Sequence, residues 1–190
     1  MSLFYEFLFP ALWLSWGAYW LISSRQVKGF ARRETRASRL SHIVPLVVAA
    51  FLLWLPRLPL PVLDVRFLPR TAEAFWVGAA MTAVGLAFAV WARIHLGRNW
   101  SGVVTIKVEH ELVTSGPYRI VRHPIYTGLL LAFLGSAVAQ GQWRGLLAIA
   151  WVAVALWRKL RLEETWMREQ FGQRYETYCA RVTALVPFLL

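Results

Sequence analysis

At 190 residues, 58% of them hydrophobic and 16% charged, the chain has more apolar surface than one soluble domain of this length needs. Lys and Arg outnumber Asp and Glu by 21 to 10, a balance that points to nucleic acid only if the basic residues gather on a soluble face. The single cysteine, Cys179, excludes an internal disulfide framework and any cysteine-based zinc cluster.

The first apolar run, residues 3–22, approaches the roughly 20 residues that cross a bilayer. It lacks a basic leader and is too long for the apolar part of a signal peptide, so it is expected to persist as a transmembrane helix. A basic segment, 23–42, precedes a second span over about 43–55. The proline-rich stretch 56–70 then reads as an irregular or interfacial connection. A third span covers about 72–92. After the polar stretch 93–123 come two shorter apolar runs, about 125–139 and 143–157. Only Gln140-Gly141-Gln142 separates them, which predicts a tight helical hairpin. From Arg158 onward the chain is amphipathic and polar enough to leave the membrane.

The expected fold is all-α: a polytopic integral membrane protein of about five transmembrane helices, including a helical hairpin, with a cytoplasmic C-terminal amphipathic helix. Two parts are expected. Residues 1–92 hold helices 1–3 with their basic cytoplasmic loop. Residues 93–190 hold a polar loop, the hairpin 124–157 and the C-terminal helix.

With five spans, segments 23–42, 93–123 and 158–190 share one side and contain six, five and six Lys or Arg. The other side has only Arg57, Arg66, Arg70 and Arg144. That bias places the basic side in the cytoplasm and explains the net charge without nucleic acid. All four histidines (His42, His95, His110 and His123) fall on or beside the basic side.

Two stretches there carry chemistry. In "LVTSGPYRIVRHPIYTG", residues 112–128, Gly116-Pro117 is a turn signal and Pro124 suits the first turn of the next helix. His123 then stands at a helix N-terminus beside Arg122, a plausible carboxylate seat. The ordinary alternative is that Arg122 reaches headgroups, His123 caps, and Tyr118 and Tyr126 belong to an interfacial aromatic belt. In the second stretch, 158–188, Met167, Phe171, Tyr175, Tyr178 and Val182 recur near a 3.6-residue period. Extending that stripe backwards reaches Glu163 and Lys159, whereas Glu164 aligns with Arg168 on a face expected to be solvated. An acid on the apolar stripe where a span leaves the bilayer needs a partner; a plain Lys159–Glu163 helical pair is the modest alternative.

Together these two stretches, in order and suitably separated over about residues 100–188, resemble the isoprenylcysteine carboxyl methyltransferase family, which is related to the membrane phospholipid methyltransferases. The resemblance implies an integral-membrane methyltransferase that uses S-adenosyl-L-methionine without a Rossmann domain, and makes 93–190 the methyltransferase core. By matching position it implies cofactor contacts from His110, Leu112, Val113, Tyr118, His123, Pro124, Tyr126 and Glu163, with Glu164 a supporting contact. A lipophilic or prenylated acceptor is implied to enter from the bilayer. Lys159, which stands where the family has an arginine, together with Arg161 and Glu163, is expected to serve the acceptor.

The chemistry of such a cofactor suits these residues. Its carboxylate suits the helix terminus at His123, its ammonium and ribose suit a carboxylate, and its adenine suits aromatic packing. No metal is expected, and membrane lipids rather than nucleic acid are the expected surroundings. The leading reaction is carboxyl O-methylation of an isoprenylcysteine-like acid. The alternatives are methylation of a phospholipid amine or another small lipophile, or a non-catalytic membrane scaffold.

Overall fold

The computed structural model describes residues 3–24, 30–33, 35–54, 61–100, 105–107 and 111–187. Helix α1 spans Leu3–Ser23, α2 spans Arg36–Trp54, and the single turn α3 spans Pro61–Asp64. Helix α4 covers Ala72–Leu96, α5 covers Pro124–Gln140, α6 covers Trp143–Phe171 and α7 covers Gln173–Cys179. By length and composition, α2 and α4 can cross a membrane, while α5 is an apolar helix of 17 residues. Leu14, Val84 and Val154 are 72%, 60% and 66% exposed. Large side chains turned outward on three long helices suit a lipid environment and would be a liability in water.

The bundle is pinned where α4 and α5 run against each other. Gly78 and Gly85 on α4 face Gly135 and Gly128 on α5, and a Cβ at any of the four would collide with the opposing backbone. Small residues let helix backbones touch, the packing mode available in lipid, where burial supplies no drive between helices. Hydrogen bonds complete the seam. Thr82 Oγ1 lies 3.2 Å from the Ala132 carbonyl and 3.3 Å from Ser136 Oγ, and Trp13 Nε1 of α1 donates to Ser136 Oγ at 3.1 Å.

The predicted hairpin is present: α5 ends at Gln140, α6 begins at Trp143, and Gly141 closes α5 with φ 64°. The proline-rich connection is less irregular than expected where it is described. Phe67 N–H donates to the Gly141 carbonyl at 2.9 Å, Gln142 Nε2 donates to the Asp64 carbonyl at 2.9 Å, and buried Arg144 lies 3.4 Å from Asp64 Oδ1. These contacts seat residues 61–68 on the hairpin turn.

Two further features differ from the sequence reading. Helix α6 continues through Arg158 without a break, so its apolar and polar halves form one 29-residue rod. It stops at Gly172, φ 49°, where nothing lies within 4 Å of a Cβ position. Glycine is needed there for backbone conformation rather than for space, and the stripe drawn through residues 167–182 turns a corner at it. The polar loops also pair: β1 (Phe30–Arg33) and β2 (Thr105–Lys107) form an antiparallel ribbon with Phe30 opposite Lys107 and Arg33 opposite Thr105. Three- and four-residue strands leave no usable periodicity, so the helical reading of the sequence passes over them.

The α4–α5 seam predicts a sharp contrast. Gly85→Val forces the helices apart and costs about 2–3 kcal/mol, whereas Gly17→Ala on α1, with nothing within 4 Å, leaves stability equal or slightly raised. Thermal unfolding in detergent measures both. Equal loss in the two variants contradicts the packing.

Candidate active site

The loop before α5 is shaped from below. Gly116 adopts φ 59°, and a Cβ there would strike the His95 imidazole. His95 Nε2 is 2.9 Å from Ser115 Oγ, and its ring stacks on Tyr118 with centroids 6.4 Å apart. His95 is thus a support beneath the loop. The 3₁₀ turn Gly116–Arg119 buries Tyr118, and Tyr178 of α7 donates its hydroxyl to the Tyr118 carbonyl.

As expected, His123 is the N-cap residue of α5 and Pro124 opens the helix. The backbone donors just before that terminus are paired with the C-terminal segment. Arg122 N–H donates to the Thr183 carbonyl at 2.8 Å and His123 N–H to the Ala184 carbonyl at 3.0 Å; Thr127 Oγ1 donates to the Leu185 carbonyl at 2.6 Å. The C-terminal segment therefore takes the backbone donors of residues 122 and 123, just ahead of the first turn of α5.

The imidazole sits between two carboxylates. His123 Nδ1 is 3.6 Å from Glu163 Oε2, and Nε2 is 3.4 Å from Glu164 Oε1, at an angle that leaves this buried Nε2 without a hydrogen bond among the described residues. The His123 ring stacks on Tyr126 at 5.4 Å with planes 5° apart, and Tyr126 donates its hydroxyl to Glu163 Oε1 at 2.6 Å. Lys159 Nζ lies 5.6 Å from the Tyr126 ring centre, one helical turn before Glu163.

Glu164 is not solvated. It is 4% exposed, with Oε1 accepting from Arg122 Nε at 2.8 Å and Nη2 at 2.7 Å, and Oε2 3.3 Å from Arg168. The expected Arg168 pairing forms, but Arg122 comes from outside the helix and covers the carboxylate. A helical projection carries no information about a partner from another element. Arg122 also donates to the Cys179 and Val182 carbonyls, so one guanidinium ties α5, α6 and the C-terminal segment together.

These contacts set the ionisation of groups beyond the apolar half of α6. Burial pushes the Glu164 carboxyl up, but the His123 ring and the Arg122 guanidinium outweigh it and hold the pKa down to about 2. Burial raises Glu163 too, and His123, Lys159 and Tyr126 bring it below its usual value. Burial lowers the His123 pKa, and the two carboxylates reverse that into a net rise. Burial raises the Tyr118 hydroxyl strongly, with Glu163 adding to it.

Above these groups opens a cavity of about 310 Å³. Of the expected cofactor and acceptor contacts, Leu112, Val113, Tyr118, His123, Pro124, Tyr126, Lys159 and Glu163 line it, as do Arg122, Met167, Tyr175 and Tyr178 from the two stretches. Glu164 lies behind the His123 ring, and Arg161 is exposed and outside the cavity wall. His110 lies outside the described residues. Other walls were not read from sequence: Trp16 and Trp20 of α1, Ile43 and Leu46 of α2, and Asn99, Glu111 and Trp100. The i,i+4 pair Trp16 and Trp20, stacked at 4.7 Å, was the available signal. The cavity thus offers a histidine–carboxylate–tyrosine wall, an ammonium and an aromatic rim, a set able to hold an amphiphilic ligand with both charges.

The phospholipid methyltransferase family profile matches residues 74–174, more than half of the chain. Protein-S-isoprenylcysteine O-methyltransferase B of Arabidopsis thaliana is 33% identical over 135 residues, 66% of this chain and 67% of that protein. The chain belongs to the isoprenylcysteine carboxyl methyltransferase family, within the phospholipid methyltransferases. The probable rice enzyme (Oryza sativa subsp. indica) is 34% identical over 60% of this chain and 61% of its own length. The human enzyme is 31% identical over 79% of this chain, which spans about half (54%) of it. The fold matches a solved eukaryotic intramembrane Ras methyltransferase of the same family at TM-score 0.53 and 21% identity, over 84% of this chain and 55% of that one. The fold is that of a polytopic membrane protein, and methyltransferases of this family generally use S-adenosylmethionine.

The pKa directions give a pH profile. Glu164 contributes stability that is complete above 4.5 and is lost as pH falls to about 2. His123 contributes stability that is complete below 6.5 and is lost as pH rises through its raised value. Unfolding temperature should therefore hold level between these limits and fall on both sides. Glu164→Gln should lower stability at pH 6 by about 1–3 kcal/mol by removing the charged partner of half-buried Arg122 and flatten the acid limb. An unchanged acid limb in that variant would contradict the assignment.

Proposed function

We propose that this chain is an integral-membrane methyltransferase that uses S-adenosyl-L-methionine to O-methylate the carboxylate of an isoprenylcysteine-like lipophile. The observation that carries the reading is the convergence of His123, Tyr126, Glu163 and Lys159 on one wall of a mostly apolar cavity. We read the chain as crossing the bilayer five times, with α1, α2, α4, α5 and the first half of α6. The excess of Lys and Arg then puts this cavity on the cytoplasmic side. The methyltransferase core is 93–190, while α1 and α2 supply apolar walls.

The residues present fit the cofactor. His123 lines the cavity with Nδ1 3.6 Å from Glu163 Oε2, and Glu163 is held as a carboxylate able to face an ammonium or ribose hydroxyls. Leu112, Val113, Tyr118, Pro124 and Tyr126 offer adenine-sized apolar and aromatic surface. When bound, the cofactor supplies a methyl group activated by its sulfonium charge. Tyr126 and His123 fix Glu163, and the Arg122–Glu164 pair fixes His123 from behind. Trp16, Trp20, Ile43 and Leu46 form the apolar side on which a prenyl chain rests and water is excluded. An acid acceptor is already ionised near neutral pH and needs no general base. Lys159 supplies the cation that holds it.

The direct test is transfer of labelled methyl from S-adenosylmethionine to a farnesylated cysteine with a free carboxyl, run beside its carboxamide. Turnover of the acid alone supports the reading; labelling of neither, or of an ethanolamine phospholipid instead, overturns it. His123→Ala and Glu163→Ala should each weaken S-adenosylhomocysteine binding by roughly tenfold or more, with the protein still folded in detergent. Lys159→Ala should raise the acceptor KM or lower kcat with cofactor affinity near wild type. Loss of cofactor affinity in that variant would move Lys159 into the cofactor site.

A further inference from the structure

A second, larger cavity of about 800 Å³ opens at the other end of the bundle, where α1, α4 and α6 begin and α2 and α5 end. Arg66, Arg70 and Arg144 all line it. They are three of the four basic residues that the five-span reading leaves on the sparsely basic side of the chain. Their convergence is what needs an explanation.

Arg144 is 6% exposed and anchored by Gln142 Oε1 at 2.8 Å and Asp64 Oδ1 at 3.4 Å, so one guanidinium is fixed in the cavity wall. Arg66 donates its Nε to the Leu68 carbonyl and forms no ion pair among the described residues, and Arg70 forms neither ion pair nor hydrogen bond among them. Glu6 is the acid lining the cavity among the described residues, leaving a cationic excess. Gln140 donates its Nε2 to the Leu53 carbonyl at 3.0 Å, but its Oε1 is buried without a donor among the described residues. Thr71, Ser136 and Gln142 add polar atoms, and the remaining wall is apolar, with Trp54 (43% exposed) carrying it out to the lipid-facing surface.

We propose that this cavity binds the headgroup of an anionic phospholipid from the leaflet opposite the catalytic cavity. The phosphodiester lies among Arg66, Arg70 and Arg144, a headgroup hydroxyl donates to Gln140 Oε1, and an acyl chain leaves past Trp54. Arginine suits a phosphodiester because its planar fork makes paired, charge-assisted hydrogen bonds. The volume lies within the roughly 300–1,000 Å³ of small-ligand sites. A solvated surface cluster would account for Arg66 and Arg70 but leaves the buried Gln140 oxygen and the apolar exit unexplained.

The test uses the full chain in a neutral detergent, titrated with dioleoyl phosphatidylglycerol and, separately, dioleoyl phosphatidylcholine, with bound lipid counted by native mass spectrometry. The expected result is one phosphatidylglycerol retained at least about tenfold more tightly than phosphatidylcholine. Arg66→Gln/Arg70→Gln should remove about tenfold of that affinity at unchanged lipid-free unfolding temperature, and the corresponding double lysine variant should restore part of it. Arg70→Gln alone, which loses no contact among the described residues, stands in if the double variant is unstable. Equal retention of the two lipids, or full retention by the glutamine variants, overturns the proposal. Competition by glycerol 3-phosphate as effective as by the lipid also overturns it, because the site would then read a free phosphate.

Discussion

A buried carboxylate must find a cation, and Glu164 finds Arg122. A charge taken out of water costs several kcal/mol unless it is paired and hydrogen-bonded, so the Glu164 position dictates where Arg122, and with it the start of α5, must lie. The same guanidinium donates to carbonyls of Cys179 and Val182, which brings the C-terminal segment onto the α5 terminus. His123 is consequently held between Glu164 and Glu163 rather than left as a free cap. Two adjacent glutamates therefore divide their tasks: Glu164 holds the frame together, and Glu163 faces the cavity with Tyr126 and Lys159.

That frame needs a rigid platform, and the glycine seam between α4 and α5 supplies one. In lipid, apolar side chains gain little by packing on one another, so backbone contact and the Thr82–Ser136–Trp13 hydrogen bonds do what a hydrophobic core does in water. The seam fixes α5, whose N-terminus presents His123. It also fixes the end of α4, where His95 shapes the loop beneath Tyr118. The second cavity lies at the opposite end of the same platform, so the two sites share a scaffold but no side chains.

Most of the helical frame was legible in the sequence because span length and apolar content are local properties. Gln140-Gly141-Gln142 and His123-Pro124 were legible because a left-handed glycine and a first-turn proline leave local signatures. Helical phase placed Glu163 on the cavity side, but the same phase put Glu164 in solvent, since it cannot register Arg122 arriving from forty-odd residues away in sequence. The α4–α5 glycines carry no signal in the sequence for a related reason: each pair is ordinary until the other helix is laid against it. The apolar cavity walls on α1 and α2 were equally hidden, because every residue there reads as lipid-facing until neighbouring helices are positioned.

The claim on which the functional account rests is that the cavity above His123 and Glu163 is a cofactor site. Thermal unfolding of the purified protein across a concentration series of S-adenosylhomocysteine measures this without requiring the acceptor to be known. The account predicts a rise in unfolding temperature that grows with ligand, equivalent to roughly 2.7 kcal/mol at a hundredfold excess over Kd. An unfolding temperature that stays flat to millimolar ligand would contradict it and leave the histidine–carboxylate wall as a structural brace.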